Sequence, residues 1–306
     1  MSLHIISVVN SKLDLDLLLY NLDLLKEKNK NLKFDINILN NSKLSFKNKS
    51  NYQIIDIDNK NNSKNYYSHG SVQHGESLNI FFKTIFKKKY KYLLIIDPDF
   101  FMIKKNILSK NLTYMKKNKL TFYGSCWHPF WFRKFKNFPS IHCLFINTNI
   151  IDLIYLDFMP NNINQNQIPK NYNNKKKKNY KSLIRIIKFY TINRIFISKS
   201  MDTGSKIYLN FKSSKYKYDV FEPGLNNNNF FFQFPFLKNK FFRYFESLLP
   251  ENISYLPKKF QIISDKYIKN IEYFYIDKVK VALHFRKTFN TNVNLDLVKS
   301  YLKDHL

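Results

Sequence analysis

Residues 92–101 read Tyr-Leu-Leu-Ile-Ile-Asp-Pro-Asp-Phe-Phe, and this run constrains the chain more than any other. An apolar stretch without polar alternation reads as a strand buried on both faces. Such a strand belongs in the middle of a sheet that is covered by helices on both sides. It ends in two carboxylates, Asp97 and Asp99, whose i, i+2 spacing on an extended backbone points both side chains the same way. Pro98 between them biases Asp97 towards that extended backbone. Carboxylates this close repel, so the pair calls for a cation. A divalent ion with oxygen ligands, Mn²⁺ or Mg²⁺, answers both and keeps positions open for phosphate oxygens. In an open α/β sheet, the carboxyl end of a strand is also where ligands bind.

The flanking sequence supports that architecture. Residues 3–10, 32–40 and 52–58 read as strands. Residues 13–28, with leucines at helical spacing and lysines at the end, read as a helix. A second helix is expected over 74–90, followed by a strand over 92–100. Strands alternating with helices predict a largely parallel sheet. Further strands are expected at 120–127, 141–149 and 279–290, a helix or strand over 150–158, and a terminal helix over 294–305. The lysine-rich stretch 161–181 reads as a solvated or disordered insertion. Residues 182–211 resume as a helix leading into a second one that begins near Asp202. The 306 residues suffice for one α/β domain. Residues 1–150 precede that insertion as a first half, and 182–306 follow it as a second.

Composition narrows the function classes. The net charge of +29 comes from 51 Lys+Arg against 22 Asp+Glu, which raises nucleic acid or an anionic surface as partners. The excess is almost all lysine and accompanies abundant Asn, Ile, Phe and Tyr, a set that shares AT-rich codons. Ala282 is the sole alanine. The lysines are spread along the chain without a helix-turn-helix, ribonucleoprotein or zinc pattern, so no nucleic-acid partner is expected. The two cysteines, Cys126 and Cys143, match no zinc spacing and read as buried thiols. The N-terminus lacks a basic leader and an apolar h-region, and no apolar run is long enough to span a bilayer. The expectation is a cytoplasmic protein, with the inner face of a membrane as a further location. With only five glycines, those that remain are expected where the backbone tolerates nothing else.

Beside this reading stands a resemblance. The segment 74–101, HGESLNIFFKTIFKKKYKYLLIIDPDFF, resembles the DxD-containing GT-A glycosyltransferases, in particular bacterial-type sugar transferases of cell-surface polysaccharides. The resemblance implies a GT-A fold, Rossmann-like with a mixed central sheet. It implies Asp99 as the main metal ligand, and Asp97 as a contact to the ribose or to the metal through water. His74 and Asn79 would line the nucleotide pocket. His284, in VALHFRK, resembles the C-terminal histidine that closes the metal coordination in such enzymes; an ordinary strand-end histidine is the other reading. Arg286 could pair with the diphosphate. Asp202, 103 residues after Asp99, matches the position of a general base in inverting members, and it could equally cap the following helix. The implied partners are a nucleoside diphosphate sugar, bound by 1–150, and a glycan or lipid-linked acceptor, met by 182–306, which would also supply a C-terminal closure.

Other segments stay open. Trp127 and Trp131 could form a sugar-stacking platform or a satellite core. The phenylalanine-rich run 230–249 could lie on an anionic membrane or be buried. Residues 217–225, with Asp219 and Glu222, could be an acceptor loop. Two other readings of a strand ending in DxD fit worse. A haloacid-dehalogenase-like phosphohydrolase needs the motif on its first strand and a late acidic pair, and no adjacent Asp-Asp occurs. A sugar nucleotidyltransferase usually opens with a glycine-rich loop, whereas Val8 to Ser11 contains no glycine.

Overall fold

The computed structural model describes residues 2–42, 44–48, 51–57, 70–86, 90–128, 136–160, 202–226, 240–248, 257, 259–263, 271–286 and 293–304. The insertion 161–181, the helix expected from 182, Trp131 and residues 230–239 of the phenylalanine-rich run lie outside them.

Strand β1 (Leu3–Val9) is buried at every position and runs directly into helix α1 (Lys12–Lys28). Ser11 caps that helix by accepting the Asp14 N–H, and Lys26 and Lys28 sit at its negative end. Its leucines at 15, 18, 22 and 25 pack on one face of the sheet, each contributing about 1.5–3 kcal/mol by burial. Strands β2 (Phe34–Asn40), β3 (Gln53–Asp56) and β4 (Tyr92–Ile96) join β1 in parallel.

Helix α2 (Gly70–Ile80) starts four residues earlier than the sequence suggests, and its last turn, Phe81–Ile85, widens to π geometry. Gly75 explains how it packs so closely: a Cβ there would lie 2.6 Å from the Phe158 carbonyl oxygen. Beyond β4 the chain does not continue as one strand, as expected over 92–100. It turns at 97–99, where the Phe100 N–H is donated to the Asp97 carbonyl, and resumes as β5 (Phe100–Met102). Pro98 has no N–H to offer a ladder, so a turn satisfies this backbone better than a sheet does.

Helix α3 (Ile107–Asn118) was not expected; Ile107, Leu108, Leu112 and Met115 form its buried stripe. Strands β6 (Phe122–Trp127) and β7 (Lys136–Asn147) follow, the second longer than expected. Residues 150–158 hold only a 3₁₀ turn, Leu153–Tyr155, rather than a helix or strand. After helix α4 (Ser205–Phe211) comes β8 (Tyr218–Asn226), so the segment read as an acceptor loop is sheet. The rest comprises α5 (Lys240–Leu248), β9 (Gln261–Ile263), β10 (Ile271–Ile276), β11 (Val279–Phe285) and α6 (Leu295–Lys303).

The strand order is β3-β2-β1-β4-β7-β6-β8-β10-β11-β5, with β9 on β8. Pairing is parallel through β4, then antiparallel at β7, so the sheet is mixed as expected. One core lies beneath α1 and α3, a second beneath α2 and α4, and a third gathers β5, β10, β11 and α6 against the side of α1. Gly124 has φ +153, and a Cβ there would meet the Cys143 carbonyl oxygen at 1.9 Å. Both cysteines are free and buried. No helix among the described residues is long and apolar enough to cross a membrane.

Candidate functional site

Sheet topology builds the site before any side chain is considered. The Asp97 N–H is donated to the His142 carbonyl at 2.9 Å, which extends the β4–β7 pairing by one residue. The Phe285 N–H is donated to the Asp99 carbonyl at 2.9 Å, which ties the other end of the turn to β11. In register, His284 faces Phe100 on β5 and Glu272 on β10. The turn 97–99 thus sits between two strands that each present a histidine, and the rings of His142 and His284 are 4.6 Å apart.

The side chains converge accordingly. Asp97 Oδ2 is 2.6 Å from His142 Nδ1. His284 Nε2 is 3.3 Å from Asp99 Oδ1, and its Nδ1 is 2.7 Å from Glu272 Oε2. Arg286 donates from Nε to Glu272 Oε1 at 2.6 Å, and its Nη2 is 3.1 Å from His142 Nε2. From α2, His74 Nε2 approaches to 3.9 Å from Asp97 Oδ1.

Charge is held tightly here. Burial would raise the Asp97 carboxyl, but the His142 hydrogen bond and the neighbouring imidazoles of His142, His74 and His284 outweigh it and hold the group at about 2. Burial would lower the His284 imidazole, yet Asp99 and Glu272 outweigh it and hold the ring at about 9. Glu272, also pushed up by burial, is brought well below the carboxylate range by Arg286 and His284. For His74 burial wins and lowers its pKa. Asp97 and Glu272 are thereby held ionised, and without a metal the His284 ring keeps a proton between acids.

A divalent cation fits these residues. Asp97, His142 and His284 each bring a ligand atom within 4.8 Å of the others. Asp97 Oδ1 is buried and makes no hydrogen bond among the described residues, nor does His74 Nε2. A buried carboxylate oxygen left over in this way has an acceptor site free for a further partner, which a cation would fill.

No protein-family model matches the sequence, and no curated protein matches it. Several solved structures are similar to it, two of them as follows. One is the mannosyltransferase PcManGT from Pyrobaculum calidifontis in complex with GDP-Man and Mn²⁺, at 6% identity and a TM-score of 0.32. That match covers 48% of this chain and 45% of the other, so this chain spans less than half the length of that relative. The other is an active-site mutant of LgtC, at 8% identity and a TM-score of 0.47, covering 99% of this chain and 96% of the other.

The remaining expected residues are placed as follows. Asn79 donates to Asp157 Oδ1 and accepts from the Phe158 N–H, at 2.8 and 2.9 Å, so both ends of its amide clamp residues 157–158. Asp157 also receives Lys206 Nζ at 2.8 Å. Asp202 does not cap a helix at Thr203. The helix begins at Ser205, its N-cap is Gly204 with φ 78, and no side chain caps it. The left-handed backbone at Gly204 delays the helix start past Thr203. Thr203 Oγ1 donates to the Ser71 carbonyl at 2.8 Å, which ties the residue after Asp202 to the first turn of α2. Trp127 is buried against Tyr208, so this tryptophan belongs to the core.

Two members of the site, His142 and Glu272, were not anticipated. A histidine within FPSIHCLFIN has no local mark of function. Glu272 was findable through hairpin register. IEYFYI and VKVALHF flank the pair Asp277–Lys278, and both turn residues have positive φ, 47 and 65. Asp-Lys lacks the glycine that usually announces such a turn.

Proposed function

We propose that the protein is a cation-dependent glycosyltransferase, moving a sugar from a nucleoside diphosphate sugar to a hydroxyl acceptor in surface polysaccharide or glycoconjugate synthesis. The observation behind this reading is the meeting of Asp97, Asp99 and His284 beyond the carboxyl end of β4, with Asp97 Oδ1 left without a hydrogen bond among the described residues. Asp97 Oδ1, an Asp99 oxygen and His284 Nε2 are the atoms that would hold Mn²⁺ or Mg²⁺. Such an ion supplies Lewis-acid stabilisation of the departing diphosphate.

The chain's own residues do the rest. His74, beside Asp97, borders the nucleotide. Arg286 adds fixed positive charge near the diphosphate. In an inverting transfer Asp202 takes the proton of the acceptor hydroxyl while that oxygen bonds to the anomeric carbon and the diphosphate leaves. In a retaining transfer Asp202 only binds the acceptor. Association with an anionic membrane belongs to the same reading, because a lipid-linked acceptor would be met there. Phe241, Tyr244, Phe245 and Leu248 of α5 are exposed at helical spacing.

Thermal denaturation against a panel of sugar nucleotides, with and without Mn²⁺, tests the donor site. A ligand that binds the native state raises the melting temperature by mass action. The expected result is a rise with one nucleotide class that needs the metal and disappears in Asp99→Ala. If no sugar nucleotide shifts the wild type, the reading is wrong.

A further inference from the structure

Glu272 is the most deeply committed acid of the cluster. It is 3% exposed and lies directly opposite His284 across the β10–β11 pair. Each of its oxygens has a separate task. Oε2 accepts from His284 Nδ1, and Oε1 accepts from Arg286 Nε.

The second bond has a consequence two residues away. Arg286 Nη2 lies 3.1 Å from His142 Nε2, and a guanidinium has only donors. His142 Nε2 must therefore accept, and its ring proton must sit on Nδ1. From there it is donated to Asp97 Oδ2 at 2.6 Å. Both nitrogens of His142 are thereby occupied. His142 lies close enough to count as a ligand, yet the hydrogen bonds leave it no lone pair for a metal.

We propose that Glu272 is a positioning residue that fixes the tautomer of His284 directly and, through Arg286, keeps the second nitrogen of His142 engaged. It leaves Asp97 Oδ1, and His284 Nε2 once an incoming cation displaces its proton, as the atoms offered to that cation. This rests on the reading of the cluster as a divalent-cation site. Metal-binding histidines commonly donate their second nitrogen to a carboxylate in this way, and loss of that partner costs about 10–100-fold in metal affinity. Here one carboxylate serves two histidines from opposite sides of the turn 97–99.

The test uses the full chain, with Mn²⁺ binding followed by electron paramagnetic resonance and the imidazole tautomers read from nitrogen-15 shifts without metal. Wild type is expected to bind Mn²⁺, and Glu272→Gln to bind it about 10–100-fold more weakly. In the wild type His142 should carry its proton on Nδ1 with Nε2 showing the shift of a hydrogen-bonded acceptor, and in Arg286→Met that acceptor signature should be lost. Equal Mn²⁺ affinity in wild type and Glu272→Gln overturns the proposal and leaves the cation site standing. Failure of the wild type to bind Mn²⁺ overturns the cation reading itself. If Glu272→Gln does not fold, the wild-type tautomer decides, and a proton on His142 Nε2 refutes the proposal.

Discussion

His128 shows how a single buried side chain makes this fold sensitive to acid. Its Nε2 donates to the Gly224 carbonyl at 3.1 Å, and its ring packs edge-on against Phe274. Burial is the main reason its pKa falls from 6.5 to about 4, and Arg286 and His284 push the same way against Glu272. The folded ring is therefore neutral where the unfolded one takes up a proton. Stability from this group is complete above pH 6.5 and is lost as pH falls towards 4, up to about 3 kcal/mol. His128→Gln keeps a donor for Gly224 and does not titrate. Its melting temperature should fall less than that of the wild type between those two pH values. An equal fall in both would show that His128 is not the source.

At the scale of elements, the hairpin 271–285 sets the geometry, because it aligns Glu272 with His284 and lays His284 beside Phe100. Its turn residue Lys278 has φ 65, a conformation that costs a side chain roughly 1 kcal/mol and glycine almost nothing. Lys278→Gly should therefore stabilise the protein by up to about 1 kcal/mol, read as a higher midpoint in urea with an unchanged slope. A lower midpoint would mean that the lysine makes contacts outweighing its backbone strain.

The same hairpin marks the limit of what the sequence discloses. Strands β1, β2 and β4 and helix α1 were legible because β-branched runs and leucine spacing announce them locally. Asp97 and Asp99 drew attention as two acids that need a counter-charge, whereas His284 stood out only through the resemblance. The partners His142 and Glu272 were not, because their meaning lies in which strand pairs with which. α3 was missed because its apolar stripe is interrupted by Lys, Asn, Ser and Thr, weak as a pattern until the sheet is there to receive it. The stretch 217–225 was open to reading as an acceptor loop, yet even its Pro223 and Gly224 sit within β8.

Across the whole molecule, the charge of +29 bears on where the protein works. Basic surface near an anionic bilayer gains about 1 kcal/mol for each Lys or Arg brought close, and salt screens that gain within a few ångströms at 1 M. Combined with the exposed apolar residues of α5, this predicts co-sedimentation with vesicles rich in anionic phospholipid and not with phosphatidylcholine alone. Phe245→Glu should weaken the binding while high salt weakens it further. Retention by neutral vesicles alone, or by neither kind, would remove the membrane from the proposed function.

The pairing of β5 with β11 also orders events in time. Residues 100–102 leave the ribosome long before 279–285, and His284 and Glu272 arrive only with that late strand. Until then Asp99 has neither its neighbour His284 nor the backbone bond from Phe285. A chain cut before residue 271 keeps Asp97 and Asp99 but lacks the His284 and Glu272 that the proposed cation site requires. Residues nearly two hundred positions apart must therefore both be made before that proposed site can close.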